Sequence, residues 1–291
     1  MRKVTKDTLT DAVIASFAGT KDERLKFVLA RLVTHLHAFA KDAKLTHAEW
    51  KAAIDFLYAA GKISNENRNE FMLASDVLGV SALVDLLNQP AGATEGSELG
   101  PFYAEGSPLL PVGADLIKGN AGERVLVRGR VLDTGGKPIA GALLDSWQAA
   151  ANGLYPEQDK RQDPHNLRFR MKTDGEGRYA FATIKPAPYS VPYDGPVGDL
   201  LRAGGREAWR PAHFHFIVSA DGHVPVVTEL FSEGDPYVER DAVFGVRESL
   251  VVRYVRCESA SDAAPWKIAA PFFTVDFDFR LAPVSISILA R

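Results

Sequence analysis

The sequence predicts a mainly β protein, an antiparallel β-sandwich that follows an N-terminal α-helical region. Apolar residues recur every three or four positions up to about residue 90, and every second position from Arg124 onward. The first spacing marks one face of a helix and the second marks one face of a strand. Short alternating runs between turn residues fit a sandwich of two sheets. We expect the helical region to cover residues 1–95 and the sandwich to cover residues 96–291.

Four helices are predicted in the N-terminal region. The first carries an apolar stripe along residues 25–39. The second begins at Thr46, where Glu49 completes a capping-box pattern, and is expected to stop at Gly61. The other two are expected over residues 64–78 and 81–88.

Strands are predicted where short apolar or alternating runs lie between turn residues. The first begins at Arg124 and ends at the turn Gly135-Gly136. The Pro- and Gly-rich stretch 185–211 is too long for a hairpin, so we expect a functional or disordered loop. In the last run, the residues from Phe273 to Phe279 at odd positions share a face that is expected on the core. The six further runs are residues 142–148, 177–184, 212–219, 224–231, 249–255 and 272–279.

Composition narrows the possible functions. The chain has 291 residues, 46% of them hydrophobic, which suits one large domain or a domain with an appendage. Its 34 basic and 37 acidic residues give a net charge of -3 without a basic tract, so nucleic acid is not expected as a partner. The single Cys257 excludes an internal disulfide and a thiolate cluster, so a metal must use nitrogen and oxygen ligands. Without a long apolar run, we expect a soluble, cytoplasmic chain.

A His-x-His pattern is the most informative local feature. In an extended strand, His213 and His215 point to the same side while the phenylalanine between them points to the other. The two imidazoles are then either a chelating pair or polar residues on a wetter face. His35 and His37 have the same spacing on a predicted helix, where it separates side chains by about 200°. We therefore assign that second pair to the surface or to helix packing.

Tyrosines in the following loops supply candidate oxygen ligands, which two imidazoles need in addition. Tyr189 and Tyr193 lie in the Pro-rich stretch 186–196, and Tyr155 follows the strand that ends near Gln148. Each tyrosine is either a ligand or a packing residue, and spacing does not decide between the two.

Five short motifs, separated along the chain, are informative when they are taken together. They are Leu99-Gly100-Pro101-Phe102-Tyr103, Gly153-Leu154-Tyr155, Thr173-Asp174-Gly175-Glu176-Gly177-Arg178-Tyr179, Tyr189 with Asp194-Gly195-Pro196, and Arg210-Pro211-Ala212-His213-Phe214-His215. Together they resemble the intradiol ring-cleaving dioxygenases, the catechol 1,2-dioxygenase group, over nearly the whole chain. Residues 194–198, 216–220 and 241–246 look most like the members of that group that act on hydroxyquinol.

The resemblance implies a non-haem iron(III) centre held by two tyrosinates and two histidines. The positions that match these ligands are Tyr155, Tyr189, His213 and His215. Tyr189 is expected to act also as general base, and Arg210 to stabilise charge that develops on the substrate, unless it forms a structural salt bridge. The implied reaction cleaves 1,2,4-trihydroxybenzene (hydroxyquinol) with O2, giving 3-hydroxy-cis,cis-muconate or maleylacetate. Catechol or a substituted catechol is the alternative substrate.

The resemblance also suggests residues of a substrate pocket. Asp85 is expected either to accept a hydrogen bond from a third ring hydroxyl or to be a helix surface charge. Tyr193 is expected in the pocket without a ligand role. Glu229 departs from the glutamine of many catechol enzymes and would be able to pair with Arg210. The other expected pocket residues are Gly100, Pro101, Phe102, Val191, Pro192 and Val243.

The resemblance finally implies a homodimer in which the helical region forms the contact and often holds an amphipathic lipid. The stripe on residues 25–39 agrees with this, but it could equally pack on the chain's own β domain. From a different functional class, a transthyretin-like sandwich that binds a ligand without a metal is the alternative, since this architecture serves many functions.

Overall fold

The computed structural model describes residues 4–65 and 68–284. The chain divides after Ala59 into two compact units, whereas the sequence predicts a boundary at residues 95/96. Across the described residues, no helix is long and apolar enough to cross a membrane. The helices are α1 (Leu9–Ser16), α2 (Glu23–Asp42), α3 (His47–Ile63), α4 (Glu70–Val77), α5 (Val80–Asn88), α6 (Pro196–Ala203) and α7 (Ala260–Ala263).

Side-chain caps set several helix ends. At α3, the Thr46 backbone N–H donates to Glu49 at 2.8 Å, which confirms the predicted capping box. The helix passes the predicted stop at Gly61, because the N–H and hydroxyl of Ser64 both donate to the carbonyl of Ala60 and complete its last turn. The third predicted helix starts later than expected, since Asn69 caps α4 by accepting from Met72.

Within residues 4–65 and 68–284, the strands form two six-stranded sheets and a small two-stranded one. The first sheet has the order β1-β5-β4-β9-β10-β11, and the second has the order β12-β13-β3-β6-β2 with β14 paired to β3. The strands are β1 (Leu109–Leu110), β2 (Ala114–Asp115), β3 (Arg124–Asp133), β4 (Leu143–Gln148), β5 (Arg168–Lys172), β6 (Arg178–Ile184), β7 (Tyr189–Ser190), β8 (Trp209–Arg210), β9 (His213–Ser219), β10 (Val226–Ser232), β11 (Val251–Val252), β12 (Val255–Cys257), β13 (Phe272–Asp276) and β14 (Phe279–Leu281).

Both large sheets are mixed, which corrects the prediction of an antiparallel sandwich. Strands β4, β5, β9 and β10 pair antiparallel, but β1 and β11 join that sheet in parallel. In the second sheet, β13 and β14 run parallel to β3, and β2 runs parallel to β6. Parallel neighbours need crossover connections, which alternation in the sequence does not reveal. Helices α2 and α3 alone hold 20 and 17 residues, so "mainly β" describes only the chain from β1 onward.

Apolar side chains of both sheets form a shared core. The rings of Phe181 on β6 and Phe216 on β9 lie 6.3 Å apart, and Phe216 lies 4.9 Å from Phe279 on β14. The predicted last strand is divided into β13 and β14, because Asp278 between them accepts from the backbone of Arg130 at 2.8 Å. Its odd-numbered apolar residues nevertheless belong to the core or pack against it, as predicted.

The Pro-rich stretch 185–211 is structured. It contains β7, α6 and β8, and it brings Tyr189 opposite Arg210 in the β7–β8 pair. Strand β9 follows at once, with Phe214 and Phe216 in the core and the histidines between them on the other face. The core therefore fixes which side of the sheet carries the polar residues of β9.

Candidate active site

Two histidines of β9 converge on one point. Their Nε2 atoms lie 3.0 Å apart, and both rings are buried. Nδ1 of His213 lies 2.7 Å from the carbonyl oxygen of Pro211, so it donates its proton there and leaves the Nε2 lone pair free. His215 stacks on Trp147, its register partner on β4, with ring centroids 4.8 Å apart. Two imidazole nitrogens at this separation fit bonds of about 2.1 Å to a single ion.

Two buried tyrosines complete the cluster. The rings of Tyr155 and Tyr189 lie 5.4 Å apart and nearly perpendicular, at 88°. Tyr189 is also 5.4 Å from the His213 ring. The loop with Tyr155 approaches the segment with Tyr189 closely at Gly153, where a Cβ would lie 3.0 Å from the carbonyl oxygen of Pro188. The residue also has a φ of +76°, which favours glycine.

The hydroxyl of Tyr155 is buried without a hydrogen-bond partner among the residues that the structure describes. Phe102 stacks on its ring at 4.5 Å, and the guanidinium of Arg168 lies 6.0 Å from the ring centroid. An unsatisfied buried hydroxyl is unfavourable, and a bound ligand or metal would remove that cost.

A buried ionic network adjoins the histidines. Arg210 donates to both carboxylate oxygens of Glu229, at 2.6 and 2.8 Å, and to Asp241 at 3.1 and 3.2 Å. Ser97 donates to Glu229 at 2.7 Å. Oε1 of Glu229 lies 3.3 Å from Nε2 of His213 and 3.2 Å from Nδ1 of His215. Glu229 and the two histidines are therefore close enough to hold one metal ion together.

Burial decides the protonation of the ligand candidates. It raises the pKa of Tyr155, to which the nearby Tyr189 hydroxyl adds, and it raises the pKa of Tyr189 despite the opposing charge of Arg210. Burial lowers the pKa of both His213 and His215, which keeps the imidazoles neutral. Burial opposes ionisation of Glu229 as well, but Arg210 holds its pKa below the ordinary value.

A cavity of about 430 Å³ lies beside this cluster. Tyr189 and Arg210 line it, and so do three acids, Glu70 and Asp76 of α4 and Glu98. Burial raises the pKa of Asp76 and of Glu98, and the charge of Asp76 helps to raise the pKa of Glu98 to about 8. The expected pocket residues that line this cavity are Gly100, Pro101, Phe102, Val191, Pro192, Arg210 and Val243.

Comparison with known proteins identifies the family. The profile of a family described as "Dioxygenase" matches residues 99–283, and that of the "Catechol dioxygenase N terminus" matches residues 22–96. The chain belongs to the intradiol ring-cleaving dioxygenases.

Relatives and solved structures cover nearly the whole chain. The hydroxyquinol 1,2-dioxygenase of Rhizobium sp. is 47% identical over 94% of both chains, and the 6-chlorohydroxyquinol 1,2-dioxygenase of Cupriavidus pinatubonensis is 44% identical over 97% of this chain and 99% of its own. The structure of hydroxyquinol 1,2-dioxygenase from Pseudomonas putida DLL-E4 is similar, with a TM-score of 0.89 and 41% identity over 96% of this chain and 99% of that one. The catechol 1,2-dioxygenase of Acinetobacter radioresistens reaches a TM-score of 0.83 at 28% identity, over 99% of this chain and 96% of that one.

Two expected pocket residues of this intradiol dioxygenase do not line the described cavity. Asp85 on α5 is half-buried and is not among the residues that line the described cavity, and burial raises its pKa although Arg247 opposes this. Tyr193 lies under the guanidinium of Arg202, at 4.5 Å from its ring centroid, and also does not line the cavity. Neither residue therefore lines the cavity, although Asp85 lies close enough for its charge to contribute to the raised pKa of Glu98.

The acids that line the cavity of this dioxygenase are not among the predicted site residues. Asp76 lies three residues after Leu73, on the same buried helix face, and an acid in an apolar helix face was an available signal. Glu98 directly precedes the motif that begins at Leu99. Asp241 lies within residues 241–246, although its pairing with Arg210 had no signal in the sequence.

Proposed function

We propose that the chain is an iron(III)-dependent intradiol dioxygenase that cleaves hydroxyquinol with O2 to 3-hydroxy-cis,cis-muconate or maleylacetate. The observation that carries the proposal is the convergence of two tyrosines and two histidines beside a cavity that contains Arg210. The relatives named for hydroxyquinol support the choice of substrate, and catechol or a substituted catechol is the alternative.

The donor set suits a ferric ion. The proposed ligands are Tyr155, Tyr189, His213 and His215. Ferric iron is a hard ion that favours anionic oxygen, and two phenolates supply it while the neutral imidazoles add no charge. Such an ion would bind the Tyr155 oxygen, which has no hydrogen-bond partner among the described residues, and the adjacent Nε2 atoms of the two histidines. Because burial raises the pKa of both phenols, binding of the metal and loss of their protons would occur together.

The chain's own groups would move protons and stabilise charge. When bound, iron(III) supplies a Lewis acid that holds both oxygens of a diol and activates the ring toward O2. Tyr189 lines the cavity, and its phenolate would accept a proton from a substrate hydroxyl as general base. Arg210 also lines the cavity, but its guanidinium forms buried salt bridges with Glu229 and Asp241, which is the structural alternative expected from the sequence. It would stabilise negative charge on the substrate oxygens only through the N–H that these carboxylates do not occupy. The clamp of Glu229 and Asp241 holds that guanidinium in one orientation.

Acids in the cavity favour a hydroxylated ring. Asp76 and Glu98 line the cavity, whereas Asp85 does not. Oδ1 of Asp76 already accepts from Ser81 at 2.6 Å, but Oε1 of Glu98 has no hydrogen-bond partner among the described residues. Plain catechol would leave such an unpaired acid without a substrate partner.

We also propose a homodimer formed through the N-terminal helices. Leu25, Leu32, Leu36 and Phe39 on α2 are between 47% and 60% exposed. An apolar face of this length is unfavourable in water, and a second copy, with or without a bound lipid, would cover it. The functional boundary at residues 95/96 is likewise a proposal, supported by family profiles that meet near there. The cytoplasmic location stays a prediction.

The decisive experiment follows the colour of the protein. Purified protein loaded with iron(III) is expected to be reddish from tyrosinate-to-iron charge transfer, and the band should change when hydroxyquinol is added without oxygen. Admission of O2 should then consume one O2 per ring and yield a dicarboxylic acid. Colourless protein that takes up no iron(III) would support the metal-free binding module instead. A higher kcat/KM for catechol than for hydroxyquinol would replace the proposed substrate and leave the chemistry intact.

A further inference from the structure

Glu98 carries a buried oxygen that nothing in the described chain satisfies. The residue is 8% exposed, and its Oε1 has no hydrogen-bond partner among the residues that the structure describes. Glu98 lines the same cavity as Asp76, Tyr189 and Arg210. The carboxylate of Asp76 already accepts a hydrogen bond from Ser81, whereas Oε1 of Glu98 would gain its first hydrogen bond from a ligand.

The backbone on both sides of Glu98 is held in place. The Ser97 N–H donates to the carbonyl of Val227 at 3.0 Å, and its hydroxyl donates to Glu229 and to the carbonyl of Gly245. Two residues beyond Glu98, Gly100 lies against the ring of His215, where a Cβ would be only 3.1 Å from Cε1. The segment is therefore fixed between the ionic network and the histidine pair.

We propose that Glu98 is a specificity-determining residue, whose carboxyl group forms a hydrogen bond with a ring hydroxyl beyond the two of the diol. The inference rests on the proposed function and deepens it, because it names a group that selects hydroxyquinol over catechol. A phenolic hydroxyl donates one hydrogen bond and accepts others, so a carboxyl group can pair with it in either protonation state. A ring hydrogen, a methyl group or a chlorine at that position would leave Oε1 unpaired.

Substitution of Glu98 tests the proposal directly. Glu98→Val removes the polar group, and we expect the ratio of kcat/KM for hydroxyquinol to that for catechol to fall by about tenfold or more. Glu98→Gln keeps hydrogen-bonding atoms at the same place and should stay within about threefold of the unchanged protein. Glu95→Gln is the matched control, since Glu95 lies in the same segment and does not line the cavity.

Binding without turnover gives a second readout. The Kd of hydroxyquinol and of catechol is measured from the visible spectrum of the iron-loaded protein in the absence of oxygen. Glu98→Val should weaken hydroxyquinol binding and leave the Kd of catechol nearly unchanged. An unchanged ratio of Kd values in a Glu98→Val protein with full iron content would overturn the proposal.

The unchanged protein provides a test that does not depend on the folding of a variant. 4-Methylcatechol has nearly the shape of hydroxyquinol but lacks the third hydroxyl. Anaerobic binding of this compound should be about tenfold weaker or more, and equal affinity would overturn the role of Glu98. Absence of ring cleavage would refute the proposed function separately, because these affinities do not require turnover.

Discussion

Two His-x-His pairs of equal spacing lie in different regions of this molecule, and their geometries are opposite. On strand β9, the Nε2 atoms of His213 and His215 lie 3.0 Å apart. On helix α2, His35 lies 3.0 Å from a guanidinium nitrogen of Arg31, whereas His37 lies 3.0 Å from the hydroxyl of Thr10. A spacing of two repeats the direction of a strand side chain, and on a helix it turns the side chain by about 200°. The period of the element therefore decides whether the motif can chelate.

The surroundings of the two pairs differ as well. His213 and His215 are buried among Tyr155, Tyr189 and Glu229, and burial lowers the pKa of both imidazoles. Neutral imidazole is the form that binds a metal. His35 is exposed and His37 is only half-buried. A metal site needs both the shared direction and the enclosed environment, and only the pair on β9 has the two together.

Loss of one strand histidine should have the largest effect. In His215→Ala, His213 would be the single imidazole at the point where the two now meet, so iron content after loading should fall to below about a tenth of the unchanged value. Metal analysis and the visible band measure this. The control is the double variant His35→Ala/His37→Ala, which removes the His-x-His pair of helix α2 and should bind as much iron as the unchanged protein. Full iron content in His215→Ala would contradict the assignment of the ligands.

Removal of Glu229 should have the next largest effect, on stability. Glu229→Leu leaves the buried guanidinium of Arg210 with Asp241 as its remaining carboxylate, and loss of one partner of a buried pair costs about 3–5 kcal/mol. Urea unfolding of the iron-free protein measures the change in the free energy of unfolding.

An exposed ion pair provides the comparison for Glu229. Lys51 and Asp55 on α3 are 62% and 59% exposed, and removal of the carboxylate in Asp55→Ala should cost less than about 1 kcal/mol. Equal losses in Glu229→Leu and Asp55→Ala would show that burial of the network contributes nothing. Glu229→Gln retains hydrogen-bonding atoms and should lie between the two.

The sequence predicts those site residues whose direction follows from the side-chain repeat of a single strand or helix. Alternation along β9 places the histidines on one side because Phe214 and Phe216 must enter the core. Tyr155 and Tyr189 could be chosen only through the resemblance, because a tyrosine in a loop has no period that fixes its direction. The expected pairing of Glu229 with Arg210 is confirmed, whereas two other partners in this network are not predicted. Asp241 lies 31 positions from Arg210, and Ser97 lies 132 positions from Glu229.

The fold shows the same limit. The sequence predicts most long strands because each alternates within itself, although it missed β5, where Phe169 and Met171 alternate with basic residues. It does not predict the parallel pairing of β3 with β13, since partners so distant leave no local pattern. The stripe on α2 is predicted correctly as an apolar face. The repeat of apolar residues identifies the face, but it does not identify the surface that packs against it.

A charge on the α2 stripe tests whether that face contacts a second copy. Leu32→Glu places a carboxylate in the exposed apolar row, and burial of an unpaired charge at an interface should convert the dimer to a monomer. Light scattering after size-exclusion chromatography measures the mass in solution. Lys41→Glu, at the end of the same helix, should leave the dimer intact. A monomeric unchanged protein would refute the dimer, and a dimeric Leu32→Glu would move the contact to another face.

The smallest expected effect concerns the capping box of α3, a purely local device. Thr46→Ala removes the hydroxyl that hydrogen-bonds to Glu49, and loss of such a cap costs about 1 kcal/mol. Hydrogen bonds from the backbone and the hydroxyl of Thr46 hold the pKa of Glu49 below its ordinary value of 4.5. Because the pKa of Glu49 is lower in the folded than in the unfolded protein, ionised Glu49 stabilises the folded state, and this contribution is complete above pH 4.5. It is lost as the pH falls through the pKa that Glu49 has in the folded protein. The difference in stability between the two proteins, followed by far-UV circular dichroism, should therefore narrow below pH 4.5. A difference that stays constant down to pH 3 would mean that the cap does not depend on the charge of Glu49.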